Sequence, residues 1–188
     1  MTTRILFDQL DIFYDYWDMA NYLEQGHFYT DRWSVISCRA VKVGDQVFFL
    51  DNWMEEDECG IFARGTIVAA EEDEQKRFLD AEYARLSPSY CPYYEADDEI
   101  EAEDGSEVLF VRFELDSAVR DRSDTLQLKE LKNLPAAKGL KYKPKKSGEA
   151  FPGKFSVLLD EQWQAHIEKL SNLNRVVIKG RMKNEEAI

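Results

Sequence analysis

Three runs rich in β-branched and aromatic residues dominate what this chain can fold into: Val41 to Leu50, Gly60 to Ala69, and Val108 to Leu115. Such side chains fit a pleated, half-buried surface better than a helix. Val47-Phe48-Phe49-Leu50 is apolar without alternation, which predicts a strand buried on both faces. Trp33-Ser34-Val35-Ile36 lies before it with a Gly44-Asp45 turn between, so the spacing predicts a hairpin of the two. Gly60 and Gly65, five apart in the next run, point to a bulge or to a close approach of backbones.

Helical periodicity falls between these runs but not after every one. Phe13, Tyr16, Trp17, Ala20 and Leu23 keep helical spacing between a capping Asp11 and Gly26. Phe78, Leu79, Tyr83 and Leu86 do the same over 73–86, a short helix is predicted around Leu126 to Leu134 before Pro135, and Phe155, Leu158, Leu159, Trp163, Ile167 and Leu170 mark a closing helix. Arg175 to Lys179 reads as an edge strand. The expected class is therefore α+β, a small curled or barrel-like mixed β-sheet with peripheral helices, and a doubly wound sheet is disfavoured. With 188 residues, one domain is expected over 1–170, carrying an acidic loop insertion near 87–105, followed by an extension over 171–188.

Charge narrows the partners. The net charge is −13, which argues against bulk attraction to nucleic acid or to an anionic membrane. Residues 51–107 carry a net −15, mostly in acidic runs that suit solvated loops, whereas residues 129–154 carry eight lysines and a net +6. Within that basic stretch, Lys138, Lys141, Lys143, Lys145 and Lys146 surround Tyr142. The strip suits phosphate oxygens, with Tyr142 against a sugar or base; a solvated turn accounts for it equally well. No apolar run is long enough to span a bilayer and the N-terminus does not read as a signal peptide, so a soluble, cytoplasmic protein is expected.

Chemistry-bearing motifs are missing. Three scattered cysteines, Cys38, Cys59 and Cys91, lack metal-ligand spacing, and the acidic runs lack calcium-loop spacing, so no metal and no cofactor is expected. Of the two histidines, His27 follows a helix stop and His166 lies opposite the closing helix's apolar stripe; a solvated role is expected of each. Nucleophile-elbow, zinc-protease, phosphate-loop, dinucleotide and zinc-deaminase patterns are all absent. No catalytic residue is assigned, a non-catalytic role is the first reading, and an enzyme stays open.

Arg32-Trp33-Ser34, Val43-Gly44-Asp45-Gln46-Val47 and Gly60-Ile61-Phe62-Ala63-Arg64-Gly65, taken in order, resemble the EVE-like branch of the PUA-like superfamily. They look most like the recognition module that accompanies HNH nucleases in modification-dependent restriction systems. Val108 to Asp116, Leu128 to Leu134, Ser147-Gly148 and Leu158 to Leu170 continue the same order, over roughly residues 5–170. Phe7-Asp8-Gln9 stands where the family often has Trp-Asn-Pro.

The resemblance implies recognition without cleavage: a modified nucleotide, first of all a flipped base in DNA rather than RNA, held in an aromatic pocket, with a nuclease or other effector as a partner protein. Extruding a base costs a few kcal/mol, recovered by stacking and edge hydrogen bonds. By family position, Trp33 is the implied pocket wall with Ser34 beside it, and Phe62 and Ala63 line the facing strand; Trp53, in a polar loop, covers the pocket or inserts into a duplex. Lys143, Lys145, Lys146, Ser147 and Gly148, with Tyr142, Arg32 and Arg39, are the implied phosphate contacts. Two alternatives stay open: an acidic interaction or anti-restriction protein, suggested by the −15 segment, and a hydrolase like the related ASCH group, for which Lys42, Thr66 and Glu114 are the candidates.

Overall fold

The computed structural model describes residues 1–7, 20–21, 23–24, 32–36, 40–51, 59–69, 93–95, 108–142 and 145–178. Among them nine strands form one mixed sheet: β1 (Thr3–Phe7), β2 (Arg32–Ile36), β3 (Gln46–Asp51), β4 (Gly60–Ile67), β5 (Tyr93–Glu95), β6 (Val108–Val119), β7 (Leu126–Gln127), β8 (Glu149–Ala150) and β9 (Val176–Ile178). The main path runs β2-β6-β4-β3-β1-β8, with β5 and β9 beside β6 and β7 beside β4. All pairings are antiparallel except β1 with β3, which run in parallel. Two α-helices, α1 (Leu128–Asn133) and α2 (Ser156–Ser171), lie outside the sheet, so the class is α+β as expected. Ala20, Asn21, Leu23 and Glu24 are helical, whereas the predicted helix over 73–86 and most of the acidic loop near 87–105 lie outside the described residues.

The sheet curls on itself. Were it flat, β2 would lie four strand spacings from β1, about 19 Å. Instead the Trp33 indole on β2 donates to the Phe7 carbonyl on β1 at 3.2 Å and meets the Phe49 ring of β3 edge-on at 4.8 Å. Curvature has a local source in two register shifts. One, between Phe49 and Leu50, makes Phe62 of β4 the extra residue; the other, between Arg64 and Gly65, does the same for Asp116 of β6. Gly65 is needed there, since a Cβ would sit 2.4 Å from the Glu114 carbonyl oxygen.

Strand β3 is buried on both sides, as its unbroken apolar run predicts: Phe49 faces Trp33 and Phe113, while Phe48 meets the Trp163 ring of α2 at 6.2 Å. Helix α2 buries Leu159, Trp163, Ile167 and Leu170, one stripe at helical spacing. The expected hairpin of Trp33–Ile36 with β3 does not form. β2 pairs with β6, and the Gly44-Asp45 turn serves instead to start β3, its Gly44 N–H donating to the Ile67 carbonyl at 2.9 Å. Sequence neighbours were the wrong guide because β3 finds its partners in β4 and in the more distant β1.

Candidate nucleic-acid interface

Residues far apart in sequence meet at the C-terminal end of β1. The Phe7 N–H donates to Ser147 Oγ at 3.2 Å, and the Phe7 carbonyl accepts from Trp33 Nε1 at 3.2 Å. The backbone of one residue, Phe7, thus joins a residue expected in the base pocket to one expected at a phosphate.

Below this junction lies a buried ionic hub. Arg4 Nε donates to Asp45 Oδ2 at 2.5 Å, one of its terminal nitrogens donates to the Gly148 carbonyl at 3.0 Å, and the other donates to the Ala40 carbonyl. Asp45 also accepts from the backbone N–H groups of Thr2 at 3.0 Å and Lys42 at 3.1 Å. A buried cation and anion persist only when their remaining hydrogen bonds are met, and here a planar guanidinium fork meets three acceptors at once. Gly148, at φ 89°, takes a left-handed conformation that a side chain would strain, and its N–H donates to Ile5 O at 2.8 Å. The segment 145–150 is therefore clamped onto β1.

The implied pocket residues Trp33, Phe62 and Ala63 are brought together, but inside the core: they are 1%, 3% and 0% exposed. The Trp33 ring has Phe49, Phe62 and Phe113 around it at 4.8, 6.1 and 6.2 Å. A base can stack on this indole only after that packing is displaced. Only the backbone of Arg32 and Ser34 is described, while Arg39, Trp53 and Lys143 lie outside the described residues. Ser147 and Gly148 are buried, holding segment 145–150 in place, while Lys145 and Lys146 are exposed.

Tyr142 also departs from the expectation of a surface aromatic. It is 8% exposed, packs edge-on against Phe151 at 4.8 Å, and its hydroxyl has no hydrogen-bond partner among the described residues. Burial, with the Glu149 carboxylate second, pushes its phenol well above the ordinary tyrosine range. His166 is not simply solvated either: its Nε2 lies 2.6 Å from the Asp124 carbonyl oxygen and its ring leans on Trp163.

Sequence reasoning missed the polar groups that hold the helix to the sheet. Arg64 Nε donates to both Asp116 oxygens at 2.9 Å and Arg64 NH1 donates to Asp160 Oδ1 at 2.7 Å, tying β4 and the β6 bulge to α2. Ser117 accepts from the Trp163 indole at 2.9 Å and donates to Asp116 at 2.6 Å. Burial raises the Asp116 carboxyl above the ordinary range, opposed by the Ser117 hydroxyl and by Arg64. The signal available was an arginine directly before Gly65 and a third charged residue, Asp116, continuing the alternation of Arg112 and Glu114 in β6. On the same face, Thr66 is registered against Gln46 on one side and Glu114 on the other, so two of the three hydrolase candidates are direct cross-strand neighbours. Among the described residues no group of three or more His, Cys, Asp or Glu side chains is placed to hold a metal, and no helix is long and apolar enough to cross a membrane.

No protein-family model and no curated protein matches this chain. Among solved structures, it is similar to a hypothetical protein from Leishmania major, with 15% identity over 88% of this chain and 96% of that one, at a TM-score of 0.49. It is also similar to human THYN1 protein, solved in complex with DNA containing 5-methylcytosine, with 13% identity over 86% of this chain and 98% of that one, at a TM-score of 0.40.

Proposed function

We propose that this chain is a non-catalytic nucleic-acid-binding module of the EVE-like, PUA-like kind that recognises a modified nucleotide, first of all a flipped base in DNA, and leaves any cleavage to a separate nuclease or other effector. The observation that carries the reading is the Phe7 backbone, which links the Trp33 end of the family-like motifs to Ser147, next to the exposed Lys145 and Lys146. A reader needs its phosphate contacts close to its base site, and a link between these two groups of residues supports that reading. With Trp33 packed in the core, we assign the stacking role to Trp53, which follows β3 by two residues in sequence. The test is a binding screen against otherwise identical duplexes and single strands that differ only in their modification, at two salt concentrations. Preference for one modified base, abolished by Trp53→Ala, is expected; equal binding to modified and unmodified strands would overturn the reading.

The Thr66–Glu114 pairing favours a second reading, an ASCH-like hydrolase with Lys42 as the third group. Incubation with RNA, single-stranded DNA and acylated nucleosides decides it. Turnover that is lost in Thr66→Ala would displace the non-catalytic assignment.

A further inference from the structure

The described arginines and lysines divide sharply in their use of charge. Arg4, Arg64, Arg120, Arg122 and Arg175 each form an ion pair with a carboxylate. Lys129, Lys132, Lys138, Lys141, Lys145 and Lys146 are all exposed, and among the described residues none of them makes an ion pair. That is unusual in a chain with 37 acidic side chains against 24 basic ones, where an exposed lysine has carboxylates in excess to choose from.

Topology sets four of these lysines, Lys129, Lys132, Lys145 and Lys146, at the two ends of one line across the sheet. Ser147 is bonded to Phe7, Phe7 is registered against Leu50, Leu50 against Ile61, and Ile61 against Leu126, where α1 is about to begin. Lys145 and Lys146 thus stand at one end of a transverse line across β1, β3, β4 and β7, and α1 stands at the other. Helix α1 buries Leu128 and Leu131, so Lys129 and Lys132, three apart, share its outward side. The line covers three strand spacings, about 14 Å.

We infer that Lys129 and Lys132 of α1 form a second phosphate-binding station, continuing the Lys145–Lys146 station so that a single nucleic-acid strand is tracked across the end of the sheet. The inference rests on the nucleic-acid reading above and names a contact surface beyond the motif-derived one. A membrane is the poorer occupant. Surface helices that enter lipid pair their basic face with large exposed apolar side chains, and among the described residues the exposed large hydrophobics, Met1, Val157 and Leu173, all lie outside 128–146.

The test uses the full chain and compares Lys129→Gln/Lys132→Gln with Lys145→Gln/Lys146→Gln, titrating binding of duplex and single-stranded oligonucleotides against salt. Each pair should lower the salt slope by about 1.8 for duplex, so that raising salt from 50 to 200 mM costs each variant about 12-fold less affinity than it costs the parent. Preference for the modification should be unchanged in the α1 variant. If the parent binds and only the Lys145/Lys146 variant loses slope, the α1 station is overturned while the reader stands. No binding by the parent overturns both, and salt-dependent binding to anionic lipid vesicles with the same lysine dependence assigns the surface to membranes instead. All four side chains are exposed, and circular dichroism of the variants guards against misfolding.

Discussion

Trp33 carries more structural weight than any other residue of the family-like motifs. Its indole is ringed by Phe49, Phe62 and Phe113, and its one polar atom is spent on the Phe7 carbonyl. Trp33→Ala should therefore cost about 3–5 kcal/mol of folding stability, read from denaturant midpoints. A residue that served only to stack an incoming base would lose binding and leave the midpoint alone. Tyr142 makes the opposite case. A buried hydroxyl with no partner costs about 1–3 kcal/mol, so Tyr142→Phe should leave stability unchanged or raise it by about 1 kcal/mol, while keeping the ring contact with Phe151. Destabilisation would show that the hydroxyl has a bonded partner in solution, an ordered water above all. The surface-aromatic reading of Tyr142 failed because its neighbours in sequence are lysines, whereas its neighbours in space include Phe151.

At the scale of elements, existence was legible and pairing was not. The β-branched and aromatic runs gave β3, β4 and β6, and the spacing of Leu159, Trp163, Ile167 and Leu170 gave α2. These signals are local. β1 escaped because it has five residues with a cation among them, and the cation turned out to be its most important member: Arg4 alone binds Asp45, Gly148 and Ala40. No periodicity could reveal that residues 4, 45 and 148 converge, since the contact spans most of the chain. Segment 145–150 is held on β1 partly by this hub, so Arg4→Met should be costly. It removes the cation and leaves the Asp45 carboxylate, 6% exposed, uncompensated. Breaking such a pair costs about 3–5 kcal/mol. Double substitution of Arg4 and Asp45 by apolar residues should recover part of that loss, and thermal melts of the single and double variants measure it.

Across the whole molecule, the same charges act with opposite sign on folding and on binding. The acidic side chains repel one another in the compact state, and salt screens that repulsion over a Debye length of about 10 Å at 0.1 M. Added salt should therefore raise the melting temperature of a chain whose net charge is −13. Nucleic-acid affinity should fall over the same range if the proposed lysine stations displace counterions from phosphates. Measuring both in one titration separates the two effects. An affinity that falls while the melting temperature rises cannot come from unfolding and belongs to the lysine contacts; an affinity that tracks the melting temperature would mean that the surface charge plays no direct part in binding. The segregation of charge then has a physical purpose. In the proposed reader, the net −15 carried by 51–107 repels a polyanion and the net +6 carried by 129–154 attracts it, so the long-range field favours the orientation that brings phosphates to the proposed lysine stations beside Ser147 and on α1.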